Sequence, residues 1–305
     1  MQSVSSVEEA SAALAAAHAA GHRLRIGNDL TADGMERVLE HDPGDLTCTV
    51  EAGVRLSALC ATLAASGQRL SLDPPGDPTI GALVAGNISG PLRHRFGAPR
   101  DLVLGVTLVL ADGTIASAGG KVVKNVAGYD LARLVCGSEG RLAFVARVSF
   151  RLHPLPKSAR TLVVATDDTA SAAARVLSSQ LQPSALDVLH PGRVAILFEG
   201  SERAVEAQLA TAQALVGGDE ADARVWDESR ERQASAQGRL RFAPGELPET
   251  LASLTEAVVR PASGLAYVSR YTARDAAPEG EGAGTLERLV ERIEKELDPR
   301  GVLAG

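Results

Sequence analysis

The chain contains few cysteine and aromatic residues, and each shortage reduces the range of functions expected for it. Its 305 residues include three cysteines, Cys48, Cys60 and Cys136, which are widely spaced among apolar neighbours. This usage predicts buried, reduced thiols and offers no cysteine pattern for an iron–sulfur cluster. Aromatic residues make up 3% of the chain, the formal net charge is −7, and no basic patch is interleaved with aromatics. Nucleic acid is therefore not an expected partner.

Several familiar motifs are also missing. There is no run of 18 apolar residues, and the first predicted helix begins with acidic residues, unlike a signal peptide. The dinucleotide fingerprint G-x-G-x-x-G, the phosphate loop G-x-x-x-x-G-K-[ST] and the nucleophile elbow G-x-S-x-G do not occur. The six histidines are isolated from other ligand residues, so no metal site is predicted. These absences favour a cytoplasmic protein outside the commonest enzyme classes.

The residues that are present predict an α+β protein with two domains. Hydrophobic residues make up 45% of the chain, and a boundary falls in the proline-bearing segment HPLPKSAR, residues 153–160. Ahead of it, Ser6 and Gly21 delimit a predicted helix, and Asp112-Gly113 predicts a β-hairpin turn. Beyond it, strand and helix signals follow in the order β-α-β-β-α, which is typical of a ferredoxin-like layer. The predicted domains are residues 1–155 and 156–305.

Two glycine-bearing stretches are candidate binding loops. DPPGDPTIGALVAGNISG (residues 73–90) brings three prolines and four glycines together, and GSEG (residues 137–140) follows an apolar helix. Such loops either direct backbone N–H groups toward a phosphate or make tight turns against other parts of the protein. The glycines alone leave both possibilities open.

Longer stretches resemble a known family. PLRHRFGAPRDLVLG, ADGTIASAGGKVVKNVAGYDLARLVCGSEG and RVSFRLHPLP resemble the FAD-binding domain of vanillyl-alcohol-oxidase-type (PCMH-type) flavoproteins. Within that superfamily the chain is most similar to the E-type subunits of bacterial glycolate oxidase, from about Met35 to Pro156. The resemblance implies FAD as cofactor and a two-subdomain FAD-binding domain at residues 1–155. A reduced ferredoxin-like cap and a C-terminal helix would follow at residues 156–305.

The resemblance also assigns cofactor-binding residues. In the family's second FAD loop, the residues facing pyrophosphate and ribose would be Asp73, Pro75, Gly76, Thr79, Ile80, Gly81, Leu83 and Ala85. Toward the flavin ring it implies Asn87, Ser89 and Gly90, with Gly97, Asp101 and Val103 near the isoalloxazine. Beside the adenine it implies Gly137, Ser138, Glu139, Gly140, Leu142 and Val145.

The sequence departs from the family pattern at two places. Relatives carry a first phosphate loop of the form R-G-x-G-T, whereas HRLRIGNDLTADGMERV keeps only Gly27 of that cluster, and the strand after it is not evident. Arg141, Ala143 and Phe144 replace a threonine, a glycine and a small aliphatic residue of the adenine strip. Since charge-assisted hydrogen bonds contribute roughly 1.5–3 kcal/mol each, these losses predict weakened FAD binding.

Catalytic candidates lie in PLRHRFG. Arg93 and Arg95 are suited to hold a carboxylate, and His94 to accept a hydroxyl proton while hydride leaves for the flavin. Alternatively this segment is a structural turn whose arginines pair with acids such as Asp101. Lys124 and Tyr129, two further signature residues, are expected to shape the flavin environment.

The resemblance leads to a functional hypothesis with two alternatives. The chain is predicted to be an FAD-binding subunit of a glycolate-oxidase-type complex that oxidises a small 2-hydroxy acid. Its expected partners are a D-type flavoprotein subunit and an iron–sulfur subunit, through which it would lie at the inner face of the membrane. One alternative is a non-catalytic interaction subunit that has lost stable FAD binding. The other, a free-standing oxidase of a sugar or alcohol, lacks an evident His or Cys for covalent flavin attachment.

Overall fold

A computed structural model describes residues 1–120, 130–269 and 283–304. It is an α+β structure, which confirms the predicted fold class. The predicted signature residues Lys124 and Tyr129 lie outside the described residues.

The first half of the chain packs into two hydrophobic clusters, a first layer and the core of the main sheet. The first layer is the cluster around Val4, Leu14 and Leu30. Its helix α1 (Val7–Ala20) begins at the N-cap Ser6, whose Oγ accepts a hydrogen bond from Glu9 N, and ends at Gly21 in the left-handed region, as predicted. The elements in chain order are β1 (Gln2–Ser3), α1 (Val7–Ala20), β2 (Leu30–Thr31), β3 (Val38–Asp42), β4 (Thr47–Glu51), α2 (Leu56–Ala64), β5 (Gln68–Arg69), α3 (Ile80–Ala85), α4 (Arg93–Phe96), α5 (Pro99–Leu102), β6 (Val103–Val109), β7 (Ile115–Gly119), α6 (Leu131–Val135), β8 (Phe144–Arg151) and β9 (His153–Pro154).

A five-stranded antiparallel sheet organises these elements. Its strand order is β3-β4-β8-β6-β7, and the predicted β6–β7 hairpin turns through Asp112 and Gly113. The helices α2, α3 and α6 bury their apolar faces on this sheet in one core cluster. β1 and β2 form a separate parallel pair, so a short strand does follow the turn at Gly27.

The second half forms the cap. Its elements are β10 (Ser158–Ala165), α7 (Thr169–Leu177), β11 (Ala185–His190), β12 (Arg193–Gly200), α8 (Glu202–Val216), β13 (Asp219–Ala221), α9 (Arg224–Ala234), β14 (Gly238–Arg241), a 3₁₀ turn (Pro244–Glu246), α10 (Leu247–Ser253), β15 (Ala257–Arg260), a 3₁₀ turn (Pro261–Ser263) and β16 (Leu265–Val268). The last helix, α11 (Ala283–Leu297), lies against the first domain, where Glu294 pairs with Arg141 at 3.4 Å. The seven strands form an antiparallel sheet in the order β13-β10-β12-β11-β15-β16-β14.

The two faces of the cap sheet are covered differently. α7 and α8 pack with Leu186 and Ile196, whereas Trp226 of α9 packs with Ala185 and Ala195. Because neighbouring strand residues point to opposite faces, α9 covers the other side of the sheet from α7 and α8. Toward its C-terminal end, α9 contacts the first domain, as described below.

The last residues of the described chain return to the first layer. Leu303 forms a bridge with Leu24, and Ala304 N donates to Leu24 O at 2.9 Å. Val302 and Leu303 are buried in the same cluster as Val4 and Leu14. Both ends of the described chain therefore contribute to one core.

Candidate functional site

The first domain contains a cavity of about 460 Å³ beside α3, which we call the α3 cavity. It lies between the start of the glycine-bearing loop, the GSEG turn and the turn after Leu24. The residues predicted to bind a cofactor that line it are Thr79, Gly81, Ala85, Glu139, Gly140 and Val145.

α3 presents small side chains to this cavity. Ala82, Ala85 and Gly86 line it, so the helix backbone stands close to any occupant. The amides at the start of α3 are already bonded, however. Ile80 N donates to Val54 O at 2.9 Å, Gly81 N to Ala52 O at 2.7 Å, and Ala82 N to Thr79 Oγ1 at 3.3 Å. This end of the loop is thus a tight junction with the rest of the domain and leaves these three amides unavailable for a phosphate.

The GSEG turn is fastened to the other end of α3. Gly137 N donates to Val84 O at 3.1 Å and Glu139 N to Ala85 O at 2.9 Å, so two C-terminal carbonyls of the helix are satisfied. Glu139 takes a left-handed conformation with φ at 54°. The two predicted loops therefore meet at α3 and form one wall of the cavity.

The opposite wall comes from the turn that stands where the family has its first phosphate loop. Gly27 N donates to Leu30 O at 2.8 Å, and the Asp29 carboxylate accepts from Arg25 N at 2.9 Å. Gly27 has φ at 89° and no atom within 4 Å of the place a Cβ would take. The turn is short, and it leaves the cavity open.

Three charged side chains reach the α3 cavity. Arg55 brings a guanidinium, whose Nη1 also donates to Asp77 O at 2.9 Å. Asp33 and Glu139 bring carboxylates, and Asp33 accepts from Thr31 Oγ1 at 2.8 Å. A guanidinium is suited to phosphate oxygens, and carboxylates are suited to accept hydrogen bonds from ribose hydroxyls.

Other predicted cofactor residues face elsewhere. Ile80 and Leu83 are fully buried in the core of the domain. Gly137, Ser138 and Leu142 line a separate groove against α11. Pro75 and Gly76 lie against α9 of the cap.

The residues after α3 form tight structural contacts. A Cβ at Gly90 would lie 1.8 Å from Asp73 O, and one at Gly97 would lie 2.5 Å from Asp101 Oδ2. Asn87 Oδ1 accepts from Arg100 N at 3.2 Å, and Asp101 Oδ2 accepts from Ala98 N at 2.8 Å. Val103 begins β6 and packs against the core.

Ser89 and Asp73 belong to a set of polar contacts with the cap, which we call the interdomain network (Asp73, Ser89, Asp187, Gln233 and Arg260). Gln233 Nε2 donates to Ser89 O at 2.8 Å, and Arg260 Nη2 donates to Gln233 Oε1 at 2.7 Å. Arg260 is 1% exposed and pairs with Asp187, which is fully buried. The cap therefore holds by direct contact the loop residue that the resemblance places near a flavin ring.

Asp73 lies at the edge of this network and has an unusual environment. Its Oδ1 accepts from Leu92 N at 3.0 Å, and its Oδ2 lies 3.5 Å from Arg230 Nη1. Burial raises the pKa of Asp73 to about 7, against the opposing effects of the Leu92 hydrogen bond, Arg260 and Arg230.

The three predicted catalytic residues diverge from α4. Arg93 Nη1 donates to Ser89 Oγ at 3.0 Å, and burial lowers the pKa of Arg93. Burial also lowers the pKa of His94. His94 and Arg95 both face α7 and the segment 181–183 of the cap. Arg95 also lines a second interdomain cavity, and its Cζ lies 5.9 Å from the ring centroid of Phe96. None of the three lines the α3 cavity. Asp101 caps α5 and pairs with none of these arginines in the described chain.

The sequence did not predict every residue of the α3 cavity or of the interdomain network. Around the α3 cavity it missed Leu30, Thr31, Ala32, Asp33, Ala52, Arg55 and Ala82. In the network it missed Asp187, Gln233 and Arg260. A charged residue inside an apolar strand was an available signal for Asp187, in ALDVLH, and for Arg260, in AVVR.

The comparisons with known proteins agree with the sequence resemblance. Residues 28–119 match the family model described as FAD binding domain. Glycolate oxidase subunit GlcE of Escherichia coli (strain K12) is 34% identical over 203 residues, which cover 64% of this chain and 56% of that protein. Glycolate oxidase subunit GlcD of Bacillus subtilis (strain 168) is 36% identical over 160 residues, covering 51% of this chain and 34% of that protein.

A yeast enzyme and a solved structure extend these similarities. D-lactate dehydrogenase [cytochrome] 1 of Saccharomyces cerevisiae is 34% identical over 177 residues, covering 55% of this chain and 30% of that protein. The chain thus spans from about a third to just over half of the length of these relatives. A structure of alkyldihydroxyacetonephosphate synthase superposes with a TM-score of 0.72 at 16% identity, covering 99% of this chain and 74% of that one, and shares the fold.

The α3 cavity fits the nucleotide half of FAD. Its α3 wall consists of backbone and small side chains, Gly27 leaves it open, and Arg55, Asp33 and Glu139 supply groups that suit phosphate and ribose. Ile26, Leu30 and Phe144 add an apolar surface, and Phe144 is one of the predicted departures from the family pattern. It lies within and next to the segment that matches the family model. These observations together show that the chain contains an FAD-binding domain of the PCMH type.

Proposed function

We propose that this chain is an FAD-binding subunit of a glycolate-oxidase-type complex that oxidises a 2-hydroxy acid to a 2-oxo acid. The observation that carries the proposal is the α3 cavity, built from the second loop and the GSEG turn inside the FAD-binding domain. Glycolate and D-lactate, which appear in the names of the three sequence relatives above, are both 2-hydroxy acids. Because the chain spans only part of those relatives, the activity itself belongs to the proposal.

In this proposal the cavity residues bind the nucleotide, and the predicted loop residues extend toward the ring. Arg55 would contact the pyrophosphate, and Asp33 and Glu139 the ribose, while Ala82, Ala85 and Gly86 allow close approach. When bound, FAD supplies a hydride acceptor for the 2-hydroxy acid. Of the three predicted catalytic residues, Arg93 donates to Ser89 Oγ in the loop expected near the ring and is the candidate for holding the substrate carboxylate. His94, the candidate base, and Arg95 face the cap instead.

The assembly is part of the same proposal. Two of the relatives are named as subunits of glycolate oxidase, GlcE and GlcD. We infer that this chain works beside a D-type flavoprotein subunit and an iron–sulfur subunit that takes up the electrons. No helix in the described residues combines the length and apolar character needed to cross a bilayer.

One observation favours a second candidate, a non-catalytic interaction subunit that keeps the fold. Ser89 O accepts hydrogen bonds from Gln233 and Arg260, and Ser89 Oγ accepts one from Arg93. The position expected beside the flavin ring is thus engaged by protein groups. Together with the short turn at Gly27, this favours loss of stable FAD binding.

A visible absorption spectrum of the purified full chain, with identification of any released chromophore, separates the two candidates. The matched variant is Ala82→Glu. Ala82 is the third residue of α3, and a glutamate there completes a capping box with Thr79 while placing a carboxylate in the α3 cavity. Ala61→Glu, on the exposed face of α2, introduces the same charge away from the cavity.

The first candidate predicts flavin bands near one FAD per chain, retained by Ala61→Glu. Ala82→Glu should bind FAD at least tenfold more weakly with an unchanged far-ultraviolet circular dichroism spectrum. A colourless chain that does not take up added FAD would favour the interaction subunit. FAD bound equally well by Ala82→Glu would contradict the role of the α3 cavity.

A further inference from the structure

A second cavity lies between the two domains, and the α3 site does not use it. Its volume is about 470 Å³, and it lies where β5 and β9 of the first domain meet the end of β12 and the start of α8 in the cap. We call it the interdomain cavity. The polar residues on its lining are Arg69, Arg95, His153, Lys157, Ser184, Glu199 and Ser201.

Three buried polar atoms around the interdomain cavity lack a hydrogen-bond partner. They are Arg69 Nε, His153 Nδ1 and Ser184 Oγ. Ser184 is fully buried, although its residue lines the cavity. Buried polar atoms are almost always hydrogen-bonded in native proteins. Three orphaned atoms from two domains around one cavity therefore point to a ligand that satisfies them.

The charges around the cavity favour an anion. Arg69 is already paired, since its Nη1 and Nη2 each donate to a Glu199 oxygen at 2.7 Å, while its buried Nε has no hydrogen-bond partner. Arg95 and Lys157 have no carboxylate within ion-pair distance in the described parts of the chain. They therefore supply positive charge that Glu199 does not neutralise.

The start of α8 adds to this positive field. α8 has 15 residues, and its N-cap Ser201 lines the cavity but makes no side-chain capping bond. The first amides of a helix carry a partial positive charge and suit an anion. Glu202, in the first turn, is the carboxylate that opposes this effect.

The cavity also has a neutral donor and an apolar wall. Burial, followed by the charges of Arg151, Arg69 and Arg95, lowers the pKa of His153 to about 4, so its ring is neutral at pH 7. The ring centroid of Phe96 lies 4.7 Å from that of His153. Pro154 and Leu155 continue the apolar surface. The combination suits an anion with an apolar body better than a fully polar ion.

We propose that the interdomain cavity is a binding site for a small organic carboxylate. Its two oxygens receive charge from Arg95 and Lys157 and hydrogen bonds from Ser184 Oγ, Arg69 Nε and the Nδ1–H tautomer of His153, and its body packs on Phe96. Because Arg69, Arg95 and His153 belong to the first domain while Ser184 and Ser201 belong to the cap, the ligand bridges the domains. The site is separate from the α3 cavity and does not depend on FAD binding.

The test is a ¹⁹F NMR titration of the full chain with 4-fluorobenzoate, with and without saturating FAD. The neutral isostere 4-fluorobenzamide and inorganic phosphate as competitor are run beside it. Ser184→Ala removes the orphaned hydroxyl, and Lys157→Gln removes an exposed charge. Ser71→Ala is the matched control, because Ser71 is also fully buried with an unpartnered Oγ but does not line this cavity.

We expect saturable binding of the carboxylate, at least tenfold weaker binding of the amide, and no change on adding FAD. Ser184→Ala and Lys157→Gln should each raise the Kd at least threefold, while Ser71→Ala keeps it within twofold. Absence of saturation would overturn the proposal and assign the cavity to water alone. Equal affinity for the amide would show an apolar pocket without an anion site. Stronger binding of phosphate than of the carboxylate would replace the proposed ligand class.

Discussion

Burial controls the chemistry of individual carboxylates in the second loop. Asp73 has two favourable partners, Leu92 N and Arg230, yet its side chain is only 19% exposed, and burial raises its pKa to about 7. Asp77, four residues later, accepts from Ser57 N and Ser57 Oγ at the surface, and these hydrogen bonds lower its pKa. The pKa values of two aspartates four residues apart are thus shifted in opposite directions.

Replacing Asp73 with asparagine should therefore change the pH dependence of stability. The unfolded chain loses the Asp73 proton near pH 4 and the folded chain near pH 7. The contribution of this proton is complete below pH 4 and is lost as the pH rises to about 7. Between pH 4.5 and 8, the free energy of unfolding of the wild type should fall relative to Asp73→Asn by ~3 kcal/mol. Urea denaturation of the FAD-free chain measures this difference.

Asp77→Asn is the control for this experiment. Because the pKa of Asp77 is lowered in the fold, both states are ionised from about pH 5 upward, and the difference from the wild type should stay constant there. If the Asp73→Asn curve also ran parallel to the wild type, the Asp73 carboxylate would be ionised in the folded protein throughout.

The glycines of the second loop show how one element combines two demands. Gly90 lies against the backbone of Asp73, and a Cβ there would approach Asp73 O to 1.8 Å. Gly76 has φ at 71° in open space at the other side of the same loop. One glycine is required by close packing, and the other by backbone conformation alone.

Alanine at these two positions should therefore have unequal costs. Gly90→Ala requires the loop backbone to move, and we expect a loss of ~3 kcal/mol in the free energy of unfolding. Gly76→Ala meets only the left-handed penalty of about 1 kcal/mol. Equilibrium denaturation of both variants without FAD gives the comparison. Equal costs at the two positions would contradict the packing role of Gly90, and flavin uptake by Gly76→Ala would show that this glycine does not need to approach a phosphate.

Elements with strong local signals were predictable, and those held by distant contacts were not. Ser6 and Gly21 fix the ends of α1 within the sequence itself, and Asp112-Gly113 fixes the β6–β7 turn. α9 is rich in Arg and Glu, and Trp226 packs against strands about 30 and 40 residues away in sequence. This apolar contact cannot be recognised from neighbouring residues in the sequence, so the sequence of α9 alone does not predict where the helix packs.

Some residues of the candidate site were likewise predictable from the sequence, and others were not. The resemblance located Thr79, Ala85 and Gly140, because these residues lie in contiguous motifs. Arg55 and Asp33 lie outside these motifs and line the α3 cavity only in the folded chain. Contacts such as that of Gln233 with Ser89 join residues 144 positions apart, and no periodicity encodes them.

At the scale of the whole molecule, polar contacts hold the cap on the FAD-binding domain. One is the interdomain network, and the other is the bidentate pair of Arg69 on β5 with Glu199 on β12. The side chains of this pair are 16% and 9% exposed. Screening by water and salt is weak in such surroundings, so the pair is expected to couple the two domains energetically.

A double-mutant cycle with Arg69→Met and Glu199→Gln measures that coupling. We expect an interaction free energy of ~2 kcal/mol that changes little between 0.1 and 1 M salt. Arg160 and Glu220 provide the control, because they form the same bidentate arrangement within the cap sheet with side chains 44% and 41% exposed. That pair should show no measurable coupling at high salt, because solvent screens it.

Coupling of the Arg69 pair that disappears with salt would mean that water enters the interface between the domains. The cap would then separate from the loop at Ser89 without a large cost, and the ring position would be open to FAD. Salt-resistant coupling would mean that a flavin ring has to compete with a closed interface.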